Sequence, residues 1–278
     1  MMRFNYGITQ GRLSEKVENK IQAFPEKNWK KEFIRANKLK LKFIEWTLHY
    51  KNFYQNPLLT ETGQKSIKKL QKKYSINVKS LSGDCFMQKP FWKIAKNTKL
   101  INDFKNVITS CGKLRIKYIV VPLVDNGSLK NLKEENYLIT ICKNLSKFIT
   151  KNQVQIIFES DYQPKKLKEF ISKFDKKLFG INYDTGNSTG LGYNINEEFN
   201  SYGKRILNVH IKDKIKYGKT VRLGDGNADF LKLFKKLKNI NYKGNLILQP
   251  ARSKNNEDVN EIKINLKYLN NLRKKIPA

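Results

Sequence analysis

The chain has 278 residues, of which 39% are hydrophobic, so it is long enough for one large domain with a sizeable core. It contains no apolar stretch near the ~20 residues that span a bilayer and no signal-peptide core at its start, so we expect a cytoplasmic protein without a membrane partner. The net charge of +32 includes lysines scattered over the whole length, which favours a compositional bias over a clustered nucleic-acid-binding surface.

Strand-like and helix-like segments alternate along the whole chain. Short apolar runs predict eight buried strands at residues 4–9, 42–48, 77–81, 118–123, 155–158, 180–184, 207–210 and 245–248. Apolar residues at helical spacing predict helices after these strands, at residues 29–39 and 66–74 and then around Phe104, Ile141, Phe170, Phe234 and Leu266. A glycine-rich loop and a weaker helix follow the sixth strand.

This alternation determines the predicted fold class. Each step between neighbouring parallel strands requires a crossover connection, so the pattern indicates an α/β protein with a mostly parallel sheet. Eight such units favour a closed (β/α)8 TIM barrel, and an open doubly wound sheet is the competing architecture. No linker or change of composition divides the chain, so we predict a single domain over residues 1–278.

Four strands in the second half of the chain end with a residue of a metal-binding type. These residues are Glu159, Asp184, His210 and Gln249. In a barrel of parallel strands the residues at the strand ends collect in one site, so we expect these four side chains to meet around one cation. Mixed oxygen and imidazole ligands suit Mn, Mg, Co or Zn and do not choose among them.

Several short motifs occur in a characteristic order along the chain: GITQGRLS (7–14), FIEW (43–46), YDTGN (183–187), HIKD (210–213), LGDGN (223–227) and YKGN (242–245). Together they resemble bacterial sugar phosphate isomerase/epimerase-like proteins of the xylose isomerase-like TIM barrel superfamily. The resemblance covers essentially the whole chain. It implies a (β/α)8 fold, a divalent cation and a sugar-type substrate at the carboxyl ends of the strands.

The resemblance also implies a set of metal ligands. In that family a glutamate, an aspartate, a histidine and a glutamate follow strands five, six, seven and eight. The first three carry over to Glu159, Asp184 and His210, whereas the fourth position is Gln249, a departure from the family pattern. The loss of one carboxylate predicts weaker affinity for a hard dication.

The implied reactions begin with the loss of a proton from a carbon next to a carbonyl. A divalent cation stabilises the enediolate that forms, and a carboxylate takes the proton and returns it. Glu159 is predicted to be this base. The amide of Gln249 can bind a cation but cannot accept a proton. This favours a one-base isomerase, or an epimerase that recruits a second acid or base from the strand-end loops.

Polar residues near other strand ends are predicted to bind a sugar or sugar phosphate: Gln10, Arg12, Glu45, Asn187, Lys212, Arg222 and Arg252. The planar fork of an arginine suits phosphate or carboxylate oxygens, and a carboxylate at the end of a buried strand is costly unless it has a partner. His49 and Asp84 stay open between site and loop roles. The glycines at 190–192 and 224–226 indicate turns, with a backbone phosphate cradle after strand seven left open.

Other functions remain compatible with the sequence. Gln249 favours a non-catalytic barrel that binds a sugar or a metal. A DNA-repair nuclease resembling AP endonucleases fits the positive charge, but its multi-zinc centre uses several histidines and this chain has only His49 and His210. A lyase or dehydratase that starts from the same enolate stays open. Barrels of this kind often associate, so a homo-oligomer stays open as well.

Overall fold

The computed structural model describes residues 5–94, 97–253 and 257–276. Eight parallel strands close into a barrel in which each strand pairs with two neighbours. The barrel strands are β1 (Tyr6–Thr9), β2 (Phe43–Thr47), β3 (Asn77–Ser82), β4 (Tyr118–Leu123), β5 (Gln155–Ser160), β6 (Phe179–Asp184), β7 (Ile206–Ile211) and β10 (Asn245–Leu248). A short antiparallel hairpin, β8 (Asp213–Lys214) and β9 (Thr220–Val221), follows β7.

Helices cover the outside of the barrel between the strands. They are α1 (Trp29–Lys38), α2 (Glu61–Tyr74), α3 (Asp84–Gln88), α4 (Thr98–Leu114), α5 (Leu132–Asn144), α6 (Ser146–Lys151), α7 (Pro164–Ser172), α8 (Thr185–Leu191), α9 (Ile195–Tyr202), α10 (Phe230–Asn239) and α11 (Asp258–Lys274). Side-chain caps fix several helix starts; for example, the Thr60 hydroxyl accepts a hydrogen bond from the Gly63 amide at the start of α2. Among the described residues, no helix is long and apolar enough to cross a membrane.

The prediction of a closed (β/α)8 barrel is confirmed. The pairing of Tyr6 with Leu246 joins β1 to β10 and closes the sheet, which rules out an open doubly wound arrangement. The strands 118–123 and 245–248 have the predicted bounds, and β5 runs two residues further than predicted, to Ser160. The predicted first residue of strand one, at position 4, lies outside the described residues.

Alternation along the strands separates an outer apolar layer from the barrel interior. On β5, Phe158 faces the helices and its ring lies 5.3 Å from Phe170 of α7, whereas Ile157 packs against Tyr118 and Val120 in a separate cluster. The outer layer forms the main core. The strands β2, β3, β6 and β7 also carry buried polar residues, which share the barrel with the smaller apolar cluster. These polar residues are Glu45, Ser80, Asn182, Asn208 and His210.

Candidate active site

Glu159, Asp184 and His210 lie on three adjacent strands, β5, β6 and β7, and the structure brings them together. One ligand atom from each lies within 4.8 Å of the others. His210 Nδ1 is 3.3 Å from Glu159 Oε2 and 3.7 Å from Asp184 Oδ2. All three residues are buried, so the cluster concentrates charge in a place with little water.

The backbone fixes the direction of Asp184. This residue ends β6 and caps α8, because its Oδ1 accepts a hydrogen bond from the Asn187 amide at 2.7 Å. The other oxygen, Oδ2, is buried and accepts no hydrogen bond from any residue that the structure describes. It lies 3.6 Å from Lys212 Nζ and faces His210. The cap therefore leaves one carboxylate oxygen free at the cluster.

A second carboxylate sits behind the His210 ring. Glu45 Oε1 lies 2.7 Å from His210 Nε2, although the ring N–H is not directed along the line between the two atoms. The other oxygen of Glu45 accepts hydrogen bonds from Ser80 Oγ at 2.7 Å and Asn208 Nδ2 at 3.0 Å. A carboxylate at Nε2 favours a proton on that nitrogen, so Nδ1, which lies 3.1 Å from Asn182 Nδ2, is the atom that would bind a cation when the ring is neutral.

Two amide side chains hold Glu159. Asn182 Nδ2 donates to Oε2 at 2.7 Å, and Asn187 Nδ2 donates to Oε1 at 2.6 Å. Asn182 also accepts a hydrogen bond from Asn208 at 2.7 Å, so the chain of contacts continues to Glu45. Both oxygens of Glu159 therefore have fixed positions, one towards His210 and the other towards Asn187.

The surrounding charges change the pKa values of the cluster. Burial raises the pKa of Asp184, but the nearby cations Lys212 and His210 outweigh burial and hold it well below its usual range. Burial lowers the pKa of His210, but the surrounding carboxylates, with Glu45 the strongest, raise it well above its ordinary value. Asp184 is thus ionised, the form in which a carboxylate binds a cation.

The donor set fits a divalent cation. Two ligands at ~2.1 Å from one ion and at right angles to each other are about 3 Å apart, close to the spacings around His210 Nδ1. Asp184 Oδ2 supplies an oxygen that accepts no hydrogen bond from the described residues, with Lys212 Nζ 3.6 Å away. Two carboxylates and one imidazole match the ligand types of Mn, Mg, Co and Zn sites.

A cavity of about 600 Å³ opens above this cluster at the carboxyl ends of the strands. Of the residues predicted from the sequence, six line it: Arg12, Glu159, Asn187, Lys212, Gln249 and Arg252. Gln249 directly follows β10, the neighbour of β7, and its backbone N–H donates to the Ile211 carbonyl. Asp84, whose role was left open, also lines the cavity, and its Oδ2 lies 2.9 Å from His49 Nε2.

Three of the predicted substrate residues do not line this cavity. Glu45 is fully buried behind His210. Gln10 is buried too, and its Oε1 accepts a hydrogen bond from the Thr47 amide. Arg222 is exposed and forms two hydrogen bonds, at 2.6 and 2.8 Å, with Glu261 of α11. Arg222 is therefore engaged on the outer side of the barrel, and the cations that reach the cavity come from other loops.

The loop after β7 is held by Asp213. Its carboxylate accepts hydrogen bonds from the amides of Gly224, Gly226 and Ala228 at 2.9, 3.1 and 3.0 Å. A side chain on Gly226 would overlap the Asp213 carboxylate, so this position requires glycine. These amides are already occupied, so the backbone phosphate cradle left open for this loop is not formed. Turn formation is the role of these glycines.

Several residues at the site were not predicted from the sequence. Asn182 and Asn208 lie in mid-strand, where the short apolar runs drew attention to their neighbours. Asp125, Asp161 and Lys214 also line the cavity. A signal for the asparagines was available, because a polar residue inside an otherwise apolar buried strand requires a partner.

A parallel eight-stranded barrel with two carboxylates and an imidazole at its mouth defines a class of protein. The chain belongs to the xylose isomerase-like TIM barrel family, whose model matches residues 33–272. The match confirms the resemblance seen in the motifs. Among curated relatives, an inosose dehydratase of Clostridium botulinum is 26% identical over 151 residues, which cover 46% of this chain and 51% of that protein. The chain spans about half the length, or less, of the curated relatives it matches.

Solved structures share the fold over nearly the whole chain. The IolI protein with a bound zinc atom superposes with a TM-score of 0.77 at 16% identity, covering 99% of this chain and 100% of that one. D-Psicose 3-epimerase from Clostridium cellulolyticum H10, crystallised with D-tagatose, gives a TM-score of 0.74 at 12% identity, covering 97% and 99%. At these identities the likeness establishes the fold.

Proposed function

We propose that this protein is a divalent-metal-dependent isomerase or epimerase that moves a proton on a carbon next to the carbonyl of a sugar. The observation that carries the proposal is the convergence of Glu159, Asp184 and His210 within 4.8 Å beneath the cavity. Family membership supports it, as do a structural neighbour with bound zinc and another that is a sugar epimerase.

Glu159, Asp184 and His210 would hold the cation, with the carboxamide of Gln249 as a fourth ligand from β10. Such a cation, when bound, supplies positive charge that stabilises an enediolate. Glu45 keeps the His210 ring in the orientation that directs Nδ1 to the cluster. Lys212 Nζ lies 3.6 Å from Asp184 Oδ2 and 3.3 Å from Asn187 Oδ1, so it adds a second positive charge beside the ligands.

Glu159 would act as the base. Its Oε1 accepts a hydrogen bond from Asn187, and both residues line the cavity. In an isomerisation Glu159 takes the proton from the carbon beside the carbonyl and returns it to the neighbouring carbon, while a hydroxyl proton passes between the two oxygens. One base suffices for this reaction. Gln249 cannot provide a second, so an epimerase would need another group from the loops.

The test is metal titration of the full chain combined with deuterium uptake. Sugars and sugar phosphates are incubated in D₂O with and without Mn²⁺, and mass spectrometry follows deuterium at carbon. We expect metal-dependent uptake in the wild-type protein and none in Asp184→Asn, which also loses metal binding. An asparagine still caps α8, so this variant keeps its fold.

Asp229→Asn is the matched control. Asp229 caps α10, where its side chain accepts a hydrogen bond from the Lys232 amide, and it does not line the cavity above the cluster. This variant should retain both metal binding and deuterium uptake. Binding of Mn²⁺ that is equally tight in wild type and Asp184→Asn would contradict the proposal, as would uptake that is independent of metal.

A second candidate reaction is dehydration, favoured by the match to an inosose dehydratase. It begins with the same proton removal and then expels a hydroxyl group as water. The same experiment separates the two reactions, because an isomer differs in mass from the substrate only by incorporated deuterium, whereas a dehydrated product also lacks one water.

A further inference from the structure

Arg12 is a buried cation at the wall of the cavity. It follows β1 and lines the cavity, yet only 4% of its surface is exposed. Its Nε and Nη1 atoms form no hydrogen bond within the part of the chain that the structure describes. Burial of an unpaired charge is costly, and a guanidinium normally donates to several acceptors. The described residues therefore supply no acceptor for these two donors.

The backbone around Arg12 is held rigidly. The amides of Gly11 and Leu13 donate to the buried carboxylate of Glu32 at 2.9 to 3.0 Å. Gly11 has a φ of +94°, and a side chain there would come within 2.5 Å of the Ala23 carbonyl oxygen. The turn is thus fixed on both sides of Arg12.

Among the neighbouring charges, another cation has the largest effect on the pKa of Arg12. Burial and then Arg252 lower the pKa of Arg12 to about 9, while Asp258, Asp84 and Asp184 oppose this shift. A pKa of about 9 keeps the guanidinium charged at neutral pH. Arg252 itself is engaged, because it donates to the Ser14 carbonyl and to Asp258 at 2.8 Å each.

The charges around the cavity are divided by position. Cations line the arc formed by β7, β10 and β1, and they are Arg12, Lys212, Lys214 and Arg252. Acidic side chains line the arc formed by the ends of β3, β4 and β5, and they are Asp84, Asp125, Glu159 and Asp161. A ligand with a negative group would be oriented by this division, with its anion towards β1.

We propose that Arg12 is the centre of an anion subsite, and that the substrate is a sugar carrying a carboxylate or a phosphate. Nε and Nη1 are donors without an acceptor within the described residues, and the Arg12 side chain lines the cavity, where an oxyanion would accept hydrogen bonds from the guanidinium. The identification of the ligand as a sugar rests on the proposed function. The anion subsite rests on Arg12 and can be tested separately.

The experiment is calorimetric titration of the full, metal-loaded chain with four probes. These are inorganic phosphate, D-fructose 6-phosphate, D-glucuronate and neutral D-fructose. We expect an anionic sugar to bind more tightly than D-fructose, and Arg12→Gln to weaken that binding by about ten- to a hundredfold while leaving D-fructose unaffected. Preference for D-fructose 6-phosphate identifies a phosphate, and preference for D-glucuronate identifies a carboxylate.

Two further variants complete the design. Arg222→Gln removes an exposed arginine outside the cavity and should leave the binding of every probe unchanged. Arg12→Lys keeps the charge without the planar fork, so it should lose only part of the anion affinity. Thermal melting adds a second readout: Arg12→Gln removes an unpaired buried charge and should melt at the same temperature as wild type or higher.

The proposal is overturned if no anionic probe binds the wild-type protein more tightly than D-fructose. It is also overturned if Arg12→Gln and Arg12→Lys both bind the anionic probes as wild type does. Failure of the proposed function gives a different result: Mn²⁺ binds wild type and Asp184→Asn equally tightly, or deuterium uptake does not depend on metal. Arg12-dependent binding of inorganic phosphate without metal-dependent chemistry would support the subsite alone.

Discussion

The two sides of the barrel mouth differ in how they accommodate buried charge. On the side of β5, β6 and β7, His210 lies 3.3 and 3.7 Å from the carboxylates of Glu159 and Asp184, and Glu45 supports it from behind. On the side of β1, Arg12 lies near Arg252 and has no acceptor among the described residues. The first side is rich in ligands for a cation, and the second is rich in donors for an anion. A substrate that spans the mouth would meet both.

The largest expected effect separates ligation from proton transfer on the carboxylate side. Glu159→Gln keeps an oxygen that can bind a cation but removes the group that accepts the proton. We expect turnover to fall by about 10² to 10⁴ while metal binding is weakened far less. Steady-state kinetics and Mn²⁺ titration of the same samples measure both.

Glu198→Gln is the control for this change. Glu198 is also buried, but its carboxylate accepts hydrogen bonds from Tyr183, Ser188 and Tyr202 and not from the metal-binding cluster. The variant should keep wild-type turnover. Efficient turnover by Glu159→Gln would mean that a different group removes the proton.

The next prediction concerns pH and the β1 side. Burial raises the pKa of Glu32 from 4.5 to about 7, despite the hydrogen bonds from the Gly11 and Leu13 amides that lower it. Between these two values the folded protein keeps a proton that the unfolded chain has released. The contribution of Glu32 to the free energy of unfolding is therefore largest below pH 4.5 and declines as the pH rises to about 7.

Glu32→Gln should remove this decline. The difference in unfolding free energy between wild type and variant should change by on the order of 3 kcal/mol across the window, as measured by denaturant unfolding at several pH values. Glu61→Gln is the control, since Glu61 has a side chain 80% exposed and should give a flat difference. A flat difference for Glu32→Gln as well would show that its carboxyl group titrates normally.

The smallest expected effect lies where the two sides meet. Gln249 follows β10, which pairs with β7 on one side and β1 on the other. Gln249→Glu adds a negative charge at the proposed fourth ligand and should tighten Mn²⁺ binding by about tenfold. Unchanged affinity for Mn²⁺ would indicate that residue 249 lies outside the ligand set.

The barrel could be predicted from the sequence because each strand is a short apolar run between helices. Residues 118–123 show this best: the run is buried along its whole length and has the predicted bounds. Helix ends were harder to predict. α2 begins at Glu61 and not at residue 66, because the Thr60 cap lies before the apolar stripe starts.

The candidate site could be predicted only where strand order alone decides proximity. Glu159, Asp184 and His210 lie at or one residue before the ends of consecutive strands, so a barrel brings them together. Partners set by three-dimensional contacts were not readable from the sequence. Arg222 pairs with Glu261, which is 39 residues away, and the isolation of Arg12 depends on what surrounds it in the fold.

The hydrogen bonds that Asp213 accepts from its loop have a consequence for protein engineering. Asp213 pairs with Val221 in the hairpin and also accepts the Gly224 amide, so both ends of the segment 214–223 are fastened to one residue. That residue lies three positions after His210. The segment between these ends also contacts α8, because the Tyr217 amide donates to the Gly190 carbonyl. Its exposed side chains, Ile215 and Tyr217, can be exchanged while Asp213 still holds both ends, and we expect such variants to leave His210 in place.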